Sequence, residues 1–557
     1  HMFSIAPAVM NYVLGIYSAM TLFHAWMMVS CEVFSSTSQI HHLATVRSAI
    51  LDAISNNVKT ENDDIKRVLD VFRRDVESLE GVHDAWEYVG HPVYVYHMLK
   101  HYVTLFKVAV NSDNKAVMNA LTEVLGESLI PTEEDLVGWC KGIFTIQNMY
   151  NISSKDIASG LIAGRESKPL NKEDIKFIAE VAHSSKNHLL SLEWVDLWLS
   201  NVVEDCKERK VCIREEFREG KIVAETNDVL LLKAKAFTQT SQFSKAVHIL
   251  EQLEENDPEN DEFSDQMSKT RKLQSMIRES PDGQKHMNSR GRGFVDAETK
   301  LTITELHRSL CRGEDLMNST MKSTLFCRYR KTETPFYQFK EEVMHVEPHI
   351  SMFYDVLSDD EALALQIAAE PDLYRAKVGG PGKRMVIEGR TAKLTWIKDD
   401  HPDPTIKLLS KRVEHITGLS TQYRKRKASA DAFQVVDYGI GGQYIPHRDY
   451  QAPAQFKNNP EIVRESGNRL ATFMFYLTDV EAGGATVFPY FKVGVSPVKN
   501  AAVFWYDLAR SGQTMAETLH AGCPVLLGRK WVANKWIREY GQEFRRPCSI
   551  DKDTLKE

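Results

Sequence analysis

Four side chains in the last quarter of the chain have the types and spacing of a metal site beside an anion pocket. His447 and Asp449 stand two residues apart in "DYGIGGQYIPHRDY" (437–450), His520 lies in "ETLHAGCPVLLGRKWVANKWI", and Lys530 follows it by ten residues. A chain of 557 residues with 19 histidines should hold about one His-x-Asp by chance. A second copy exists, His401 and Asp403 in "DDHPDPT", but its Asp and Pro density reads as a turn with nothing to align the two side chains. The first copy has a different setting. Phe433, Val435 and Tyr438 lead through "GIGG", a bend or bulge signal, into Tyr444 and Ile445. On a strand, residues two apart share a face, so His447 and Asp449 can converge on one ion while Arg448 faces away.

His520 supplies the third ligand. Beyond it Gly528 offers a turn, and Lys530, Val532, Asn534 and Trp536 share the even face of a following strand. Two imidazoles and a carboxylate on one side of an iron leave positions open for substrate and oxygen, the arrangement of the non-haem Fe(II) oxygenases. Lysine is rarely buried unpaired, so Lys530 reads either as a solvated surface lysine or as the counter-ion of a carboxylate co-substrate.

The motifs "YGIGGQYIPHRDY", "NRLATFMFYLTDVEAGGATVFP", "AAVFWYDL", "HAGCPVLLGRKWVANKWI" and "GQEFRRPC" occur in this order and resemble the catalytic domain of the collagen prolyl 4-hydroxylase α subunits. The resemblance is specific over residues 300–550 and looser before that. It implies that His447, Asp449 and His520 hold Fe(II) and that Lys530 pairs with the distal carboxylate of 2-oxoglutarate. Tyr438, Thr486 and Trp536 match positions lining the co-substrate pocket, although aromatics alternating on a strand are also ordinary core. Arg448 departs from the aromatic usual there, and altered packing is the expected consequence. The resemblance further implies L-ascorbate as the rescuer of oxidised iron, intrachain pairs Cys311–Cys327 and Cys523–Cys548, and a protein disulfide isomerase β subunit in an α2β2 tetramer. The implied reaction is 4-hydroxylation of peptidyl proline in procollagen-like chains. The alternatives are a prolyl hydroxylase with a shifted non-collagen substrate or a membrane anchor, and a catalytically silent structural subunit.

The elements that must position these residues form a multidomain α+β protein: a helical N-terminal half and a C-terminal double-stranded β-helix, or jelly roll. No Asp, Glu, Lys or Arg occurs from Met2 to Cys31, so residues 1–31 read as a signal peptide, with Met2 the expected start, or as a retained signal anchor of about 20 apolar residues. Either directs the rest to the lumen of the endoplasmic reticulum, and the sequons at Asn151 and Asn318 agree with that. The ending "SIDKDTLKE" is not a Lys-Asp-Glu-Leu type signal, so retention needs the isomerase partner or the anchor.

Residues 32–165 read as an N-terminal helical dimerisation region with a long heptad-like helix. Residues 166–262 read as a tetratricopeptide-like peptide-binding module, with Ala236, Phe243 and Ala246 interlocking paired helices and Pro258 after the second. The family's module grips proline-rich strands with tyrosines, but no tyrosine occurs between Tyr150 and Tyr329. His183, His188, Leu232 and Lys235 stand in their place, which predicts a weak hold on polyproline. Residues 263–335 read as a charged linker carrying the Cys311/Cys327 pair, and residues 336–550 as the dioxygenase domain, with "EALALQIAAEPDL" and "DPTIKLLSKRVEHITGL" as outer helices. Of eight cysteines, Cys140, Cys206 and Cys212 remain, and a Cys206–Cys212 bridge is open. Net charge -7 argues against a nucleic-acid partner, and the basic run at 424–427 reads as a solvated loop.

Overall fold

The computed structural model describes residues 32–550 apart from 58–62, 78–84, 113, 127–128, 209–219, 280–298, 300, 333–336, 377, 381–382, 386–389, 425 and 453–463. The apolar segment 1–31, Cys212 and the whole "SPDGQKHMNSRGRG" linker lie outside the described residues, as does the side chain of Cys206. Among the described residues no helix is long and apolar enough to cross a membrane.

Two compact units divide the chain. One comprises the described parts of residues up to Phe34, Gln39–Ala85 and Tyr96–Gly138; the other comprises Ser35–Ser38, Trp86–Val95 and everything from Trp139 onward. The second unit therefore begins well before residue 166. In the first unit the expected long heptad helix is broken. Helices Thr37–Thr45, Arg47–Asn57 and Asp63–Glu77 replace it. They turn their apolar stripes inward, with Ile50, Ile54, Ile65 and Phe72 wholly buried. Phe72 meets Tyr102 edge to face at 5.3 Å, and the Tyr102 hydroxyl donates to the Leu43 carbonyl at 2.8 Å.

In the second unit, helices Lys172–Ser184, His188–Glu208, Gly220–Gln239, Phe243–Asn256 and Asp261–Glu279 pack consecutively. Ala236 and Ala246 are fully buried where the third and fourth helices interlock, as their small size allows, while Phe243 is only half-buried. The last helix runs to Glu279, into a stretch expected to be irregular linker. Its Phe263 and Met267 explain this, because both are buried in the core of the hairpin before it.

Among the described residues, the remainder is built on seventeen strands: β1 (Phe326–Lys331), β2 (Gln338–His345), β3 (Ile350–Tyr354), β4 (Tyr374–Arg375), β5 (Val378–Gly380), β6 (Lys383–Met385), β7 (Lys393–Ile397), β8 (Phe433–Tyr438), β9 (Tyr444–His447), β10 (Arg469–Tyr476), β11 (Ala482–Gly483), β12 (Thr486–Phe488), β13 (Val493–Val495), β14 (Ala502–Tyr506), β15 (His520–Gly522), β16 (Val525–Leu527) and β17 (Lys530–Arg538). A nine-stranded sheet has the order β1-β2-β3-β14-β10-β17-β8-β7-β4, and a four-stranded sheet the order β13-β12-β15-β9. The two face each other as the expected jelly roll, although β1 extends the large sheet upstream of residue 336.

The central strands of the large sheet, β3, β14, β10, β17 and β8, are buried on both faces. Its inner face contributes Val436, Met474, Val503 and Val532 to a core shared with Phe488, Val493 and Val495 of the small sheet. On its outer face, Phe433, Phe473, Trp531 and Ile537 pack against the expected helices Asp359–Ala369 and Pro404–Thr417. The "GIGG" signal is a turn between β8 and β9. Gly441 has φ +59°, and a Cβ there would sit 2.4 Å from the Gly142 carbonyl oxygen, so no other residue suits this close approach. Gly528, at φ +87°, makes the turn into β17 that aims Lys530 inward.

Candidate active site

β9 and β15 are neighbours in the small sheet, and His447 pairs directly with His520. The strand ends at His447, so Asp449 sits in the bend that follows rather than two places along a strand, yet it converges as expected. His447 Nε2 lies 3.7 Å from Asp449 Oδ1, and His520 Nε2 lies 3.7 Å from Asp449 Oδ2. One ligand atom from each residue falls within 4.8 Å of the other two, close enough to share an ion. Arg448 turns outward, and its Nε donates to the Ala516 carbonyl at 2.9 Å, in the turn that leads to His520.

Both imidazoles have their tautomer fixed. His447 Nδ1 is 2.9 Å from the Ile445 carbonyl and His520 Nδ1 is 3.0 Å from the Thr518 carbonyl. A carbonyl can only accept, so each Nδ1 carries the proton and each Nε2 presents a lone pair to the centre, the usual state of a metal ligand. Burial, the neighbouring His520 and lesser contributors hold His447 well below the usual imidazole range, against the pull of Asp449. Burial alone would raise Asp449, but His520, His447 and Arg469 bring it down to about 2. A neutral His447 and an ionised Asp449 are thus ready at neutral pH. Aromatic rings wall them in: Tyr444 stacks on His447 at 3.5 Å, and Trp505 lies 4.7 Å from His520.

Lys530 opens β17 opposite Tyr438 of β8, with Nζ 5.1 Å from the Tyr438 ring centroid. The side chain is 2% exposed, and burial pushes the amine down to about 7. No carboxylate among the described residues pairs with it. A Cβ placed on Gly522 would lie 3.7 Å from both Lys530 Nζ and the Tyr438 hydroxyl, and Gly522 pairs with Thr486 across β15–β12. Lys530, Tyr438 and Thr486 therefore line one recess. Such a recess suits an anion, because a buried ammonium is stabilised by pairing.

Trp536 belongs elsewhere. Its ring supports the Arg469 guanidinium at 3.6 Å, and Arg469 Nη1 donates to the Asp449 backbone carbonyl at 3.3 Å, so Trp536 braces the bend that carries Asp449. Arg469 itself is anchored by Asp431, which also takes two bonds from Arg538. Sequence reasoning missed Tyr476, whose hydroxyl bonds Thr486 Oγ1 at 2.9 Å and fixes that wall of the recess. It also missed Arg390, 4.4 Å over the Tyr444 ring and bonded to Gln434 Oε1. Tyr476 carried a signal, since it shares the even face of β10 with Thr472 and Met474; Arg390 carried none.

The other His-x-Asp is a helix cap. Asp403 Oδ1 accepts from the Thr405 amide at 2.9 Å and the His401 ring accepts from the Asp403 amide. The expected cysteine pairing is overturned. Cys311 is joined to Cys523, while Cys327 and Cys548 are exposed free thiols. Cys311 ends a helix packed beside β12, in a buried cluster with Val487 and Ala521, whereas Cys327 lies on the exposed strand β1. Cys140 is a buried lone thiol. Asn151 and Asn318 are both exposed, the latter capping a short helix through Met321.

Fold and ligand set together define an Fe(II)- and 2-oxoglutarate-dependent oxygenase, and residues 433–538 match the 2OG-Fe(II) oxygenase superfamily. Residues 36–164 match the prolyl 4-hydroxylase alpha-subunit N-terminal region. Among similar proteins, prolyl 4-hydroxylase subunit alpha-1 of Rattus norvegicus is 31% identical over 543 residues, covering 93% of this chain and 96% of the relative. Subunit alpha-3 of Bos taurus is 32% identical over 542 residues, 93% and 94% of the two chains. The viral collagen prolyl hydroxylase of Paramecium Bursaria Chlorella virus-1, solved with 2OG, is 27% identical with TM-score 0.27, covering 34% of this chain and 95% of that one. The chain belongs to the prolyl 4-hydroxylase alpha-subunit family.

Proposed function

We propose that the chain hydroxylates C4 of peptidyl proline in procollagen-like sequences in the lumen of the endoplasmic reticulum. The observation that carries this reading is the convergence of His447, Asp449 and His520 beside a buried, unpaired Lys530.

Fe(II) bound by the three ligands supplies the redox chemistry that couples oxidation of 2-oxoglutarate by O2 to hydroxylation of a carbon. The protein supplies orientation. Lys530 meets the distal carboxylate, with Tyr438 and the Thr486–Tyr476 pair shaping the recess, so the keto acid end points toward the ligands. A charge-assisted contact of this kind contributes about 1.5–3 kcal/mol. Tyr444, Phe488 and Trp505 exclude water around the histidines. Ascorbate would be the reductant for the iron held by His447, Asp449 and His520.

The exposed sequons Asn151 and Asn318 and the Cys311–Cys523 bond suit a lumenal setting. A protein disulfide isomerase β subunit in an α2β2 assembly accounts for retention. Co-expression tests this: a soluble complex with the isomerase and aggregation alone support it, whereas an active, isomerase-free, carbonate-resistant membrane protein contradicts it.

A shifted peptide preference is favoured by one feature of the helical module. His183 and His188 rings lie 4.9 Å apart, and Lys235 is paired with Glu262 at 2.7 Å, at positions that the resemblance assigns to stacking tyrosines. Comparing turnover of (Pro-Pro-Gly) peptides with that of proline peptides of mixed sequence distinguishes the two substrate classes.

A further inference from the structure

We propose that Thr472 and Asp507 are positioning residues that set the metal-ligating carboxylate of Asp449 through a chain of hydrogen bonds, and that metal affinity depends on this chain. The inference rests on the reading of His447, Asp449 and His520 as the metal ligands.

Thr472 lies on β10 at the position paired with Trp536 on one side and Trp505 on the other. Its Oγ1 is 2.8 Å from Asp449 Oδ2 and 3.0 Å from Asp507 Oδ2. A threonine hydroxyl has one proton, so it cannot donate to two carboxylates at once. The chain closes in one way: Asp507 carries a proton and donates from Oδ2 to Thr472 Oγ1, and Thr472 donates to Asp449 Oδ2. The other oxygen fits this polarity, since Asp507 Oδ1 accepts from the Trp505 indole N–H at 3.2 Å. Asp507 is fully buried, and burial together with the nearby Asp449 charge pushes its carboxyl well above the usual range. The result is an Asp449 carboxylate with Oδ2 tied back and, among the described residues, Oδ1 without a hydroxyl donor. Trp505 also lies 4.7 Å from the His520 ring, so the same buried acid braces two of the three ligands without touching the ion.

Outer groups that orient ligands typically carry a 10- to 100-fold effect on metal affinity. The test is Co(II) titration of the full chain, read by visible absorbance and chelator competition, with thermal unfolding as the folding control. His447→Ala establishes the site itself: stoichiometric Co(II) binding that survives this change overturns the ligand reading, not the relay alone. With the site established, Thr472→Val, or the less crowding Thr472→Ala, and Asp507→Leu should weaken Co(II) about 10- to 100-fold. Thr472→Ser keeps the hydroxyl, and Asp507→Asn keeps a donor for Thr472 and an acceptor for Trp505. Both should bind Co(II) within about threefold of wild type, a spread below the outer-shell effect. Unchanged affinity in folded Thr472→Val or Thr472→Ala overturns the proposal, as does a tenfold loss in Thr472→Ser or Asp507→Asn.

Discussion

His447 and His520 are direct partners across β9 and β15, with ring centroids 4.3 Å apart, and each ties its Nδ1 to the carbonyl two residues earlier in the chain. The two imidazoles are thus set by the same local device on antiparallel strands, and Asp449 closes the third corner from the bend beyond β9. No other described carboxylate or imidazole completes this cluster.

A site with three ligands has no spare. His447→Ala, Asp449→Ala and His520→Ala should each lower hydroxylation by at least about 100-fold, because even outer-shell changes cost 10- to 100-fold. His401→Ala should leave activity unchanged, since His401 only accepts from a helix-capping turn. Full activity in His447→Ala, measured with purified, folded enzyme, would remove it from the site.

The buried amine of Lys530 gives the co-substrate a pH dependence. Its folded value of about 7 lies below the ~10.4 of a free lysine, so without an anion the folded chain holds fewer protons than the unfolded chain between those limits. Within that window this group favours folding more as pH rises. Binding a carboxylate reverses the preference, because only the ammonium pairs with it. Affinity for 2-oxoglutarate should therefore fall about tenfold per pH unit above pH 7, with proton uptake visible by calorimetry in buffers of different ionisation enthalpy. Lys530→Ala should raise KM for 2-oxoglutarate by about 10- to 100-fold and abolish the slope. A slope that persists in the variant would mean that another group titrates.

Peptide mapping without reduction should find Cys311 linked to Cys523, and Cys327 and Cys548 open to alkylation. The bond closes a sequence separation of 212 residues, so Cys523→Ser should cost about 2–5 kcal/mol of stability, read by denaturant unfolding. Recovery of Cys311–Cys327 and Cys523–Cys548 peptides would contradict the pairing.

Poly-L-proline should bind the full chain weakly at the helical module, because imidazoles and a paired lysine offer less stacking area than tyrosines. Calorimetric titration checks this, and tight binding that survives loss of the metal ligands would show that the module grips polyproline by other means.

The chemistry was legible because it rests on residue type and spacing: a histidine before an aspartate, a second histidine, and a lysine on the even face of the next strand. The jelly roll was legible through the family resemblance, and the outer helices from their periodicity. What stayed hidden depends on neighbours far apart in sequence. β10 and β17 are buried on both faces, so hydropathy does not tell Tyr476, which shapes the recess, from Phe475, which packs under the outer helices. Arg390 and Gln434 meet only through the fold. Disulfide pairing follows which cysteines come within reach, and Cys311 reaches Cys523 because its helix packs on β12. The break between Thr37–Thr45 and Arg47–Asn57 had no proline or glycine to announce it.

The central claim is that this site couples 2-oxoglutarate to oxygen insertion at peptidyl proline. Mass spectrometry of a (Pro-Pro-Gly) peptide incubated with the full chain, Fe(II), 2-oxoglutarate, ascorbate and labelled O2 tests it directly. The account predicts one labelled oxygen at proline C4 per succinate formed, and none with Asp449→Ala. Succinate formed by wild-type enzyme with no oxygen on any proline of this peptide or of mixed-sequence peptides would contradict it.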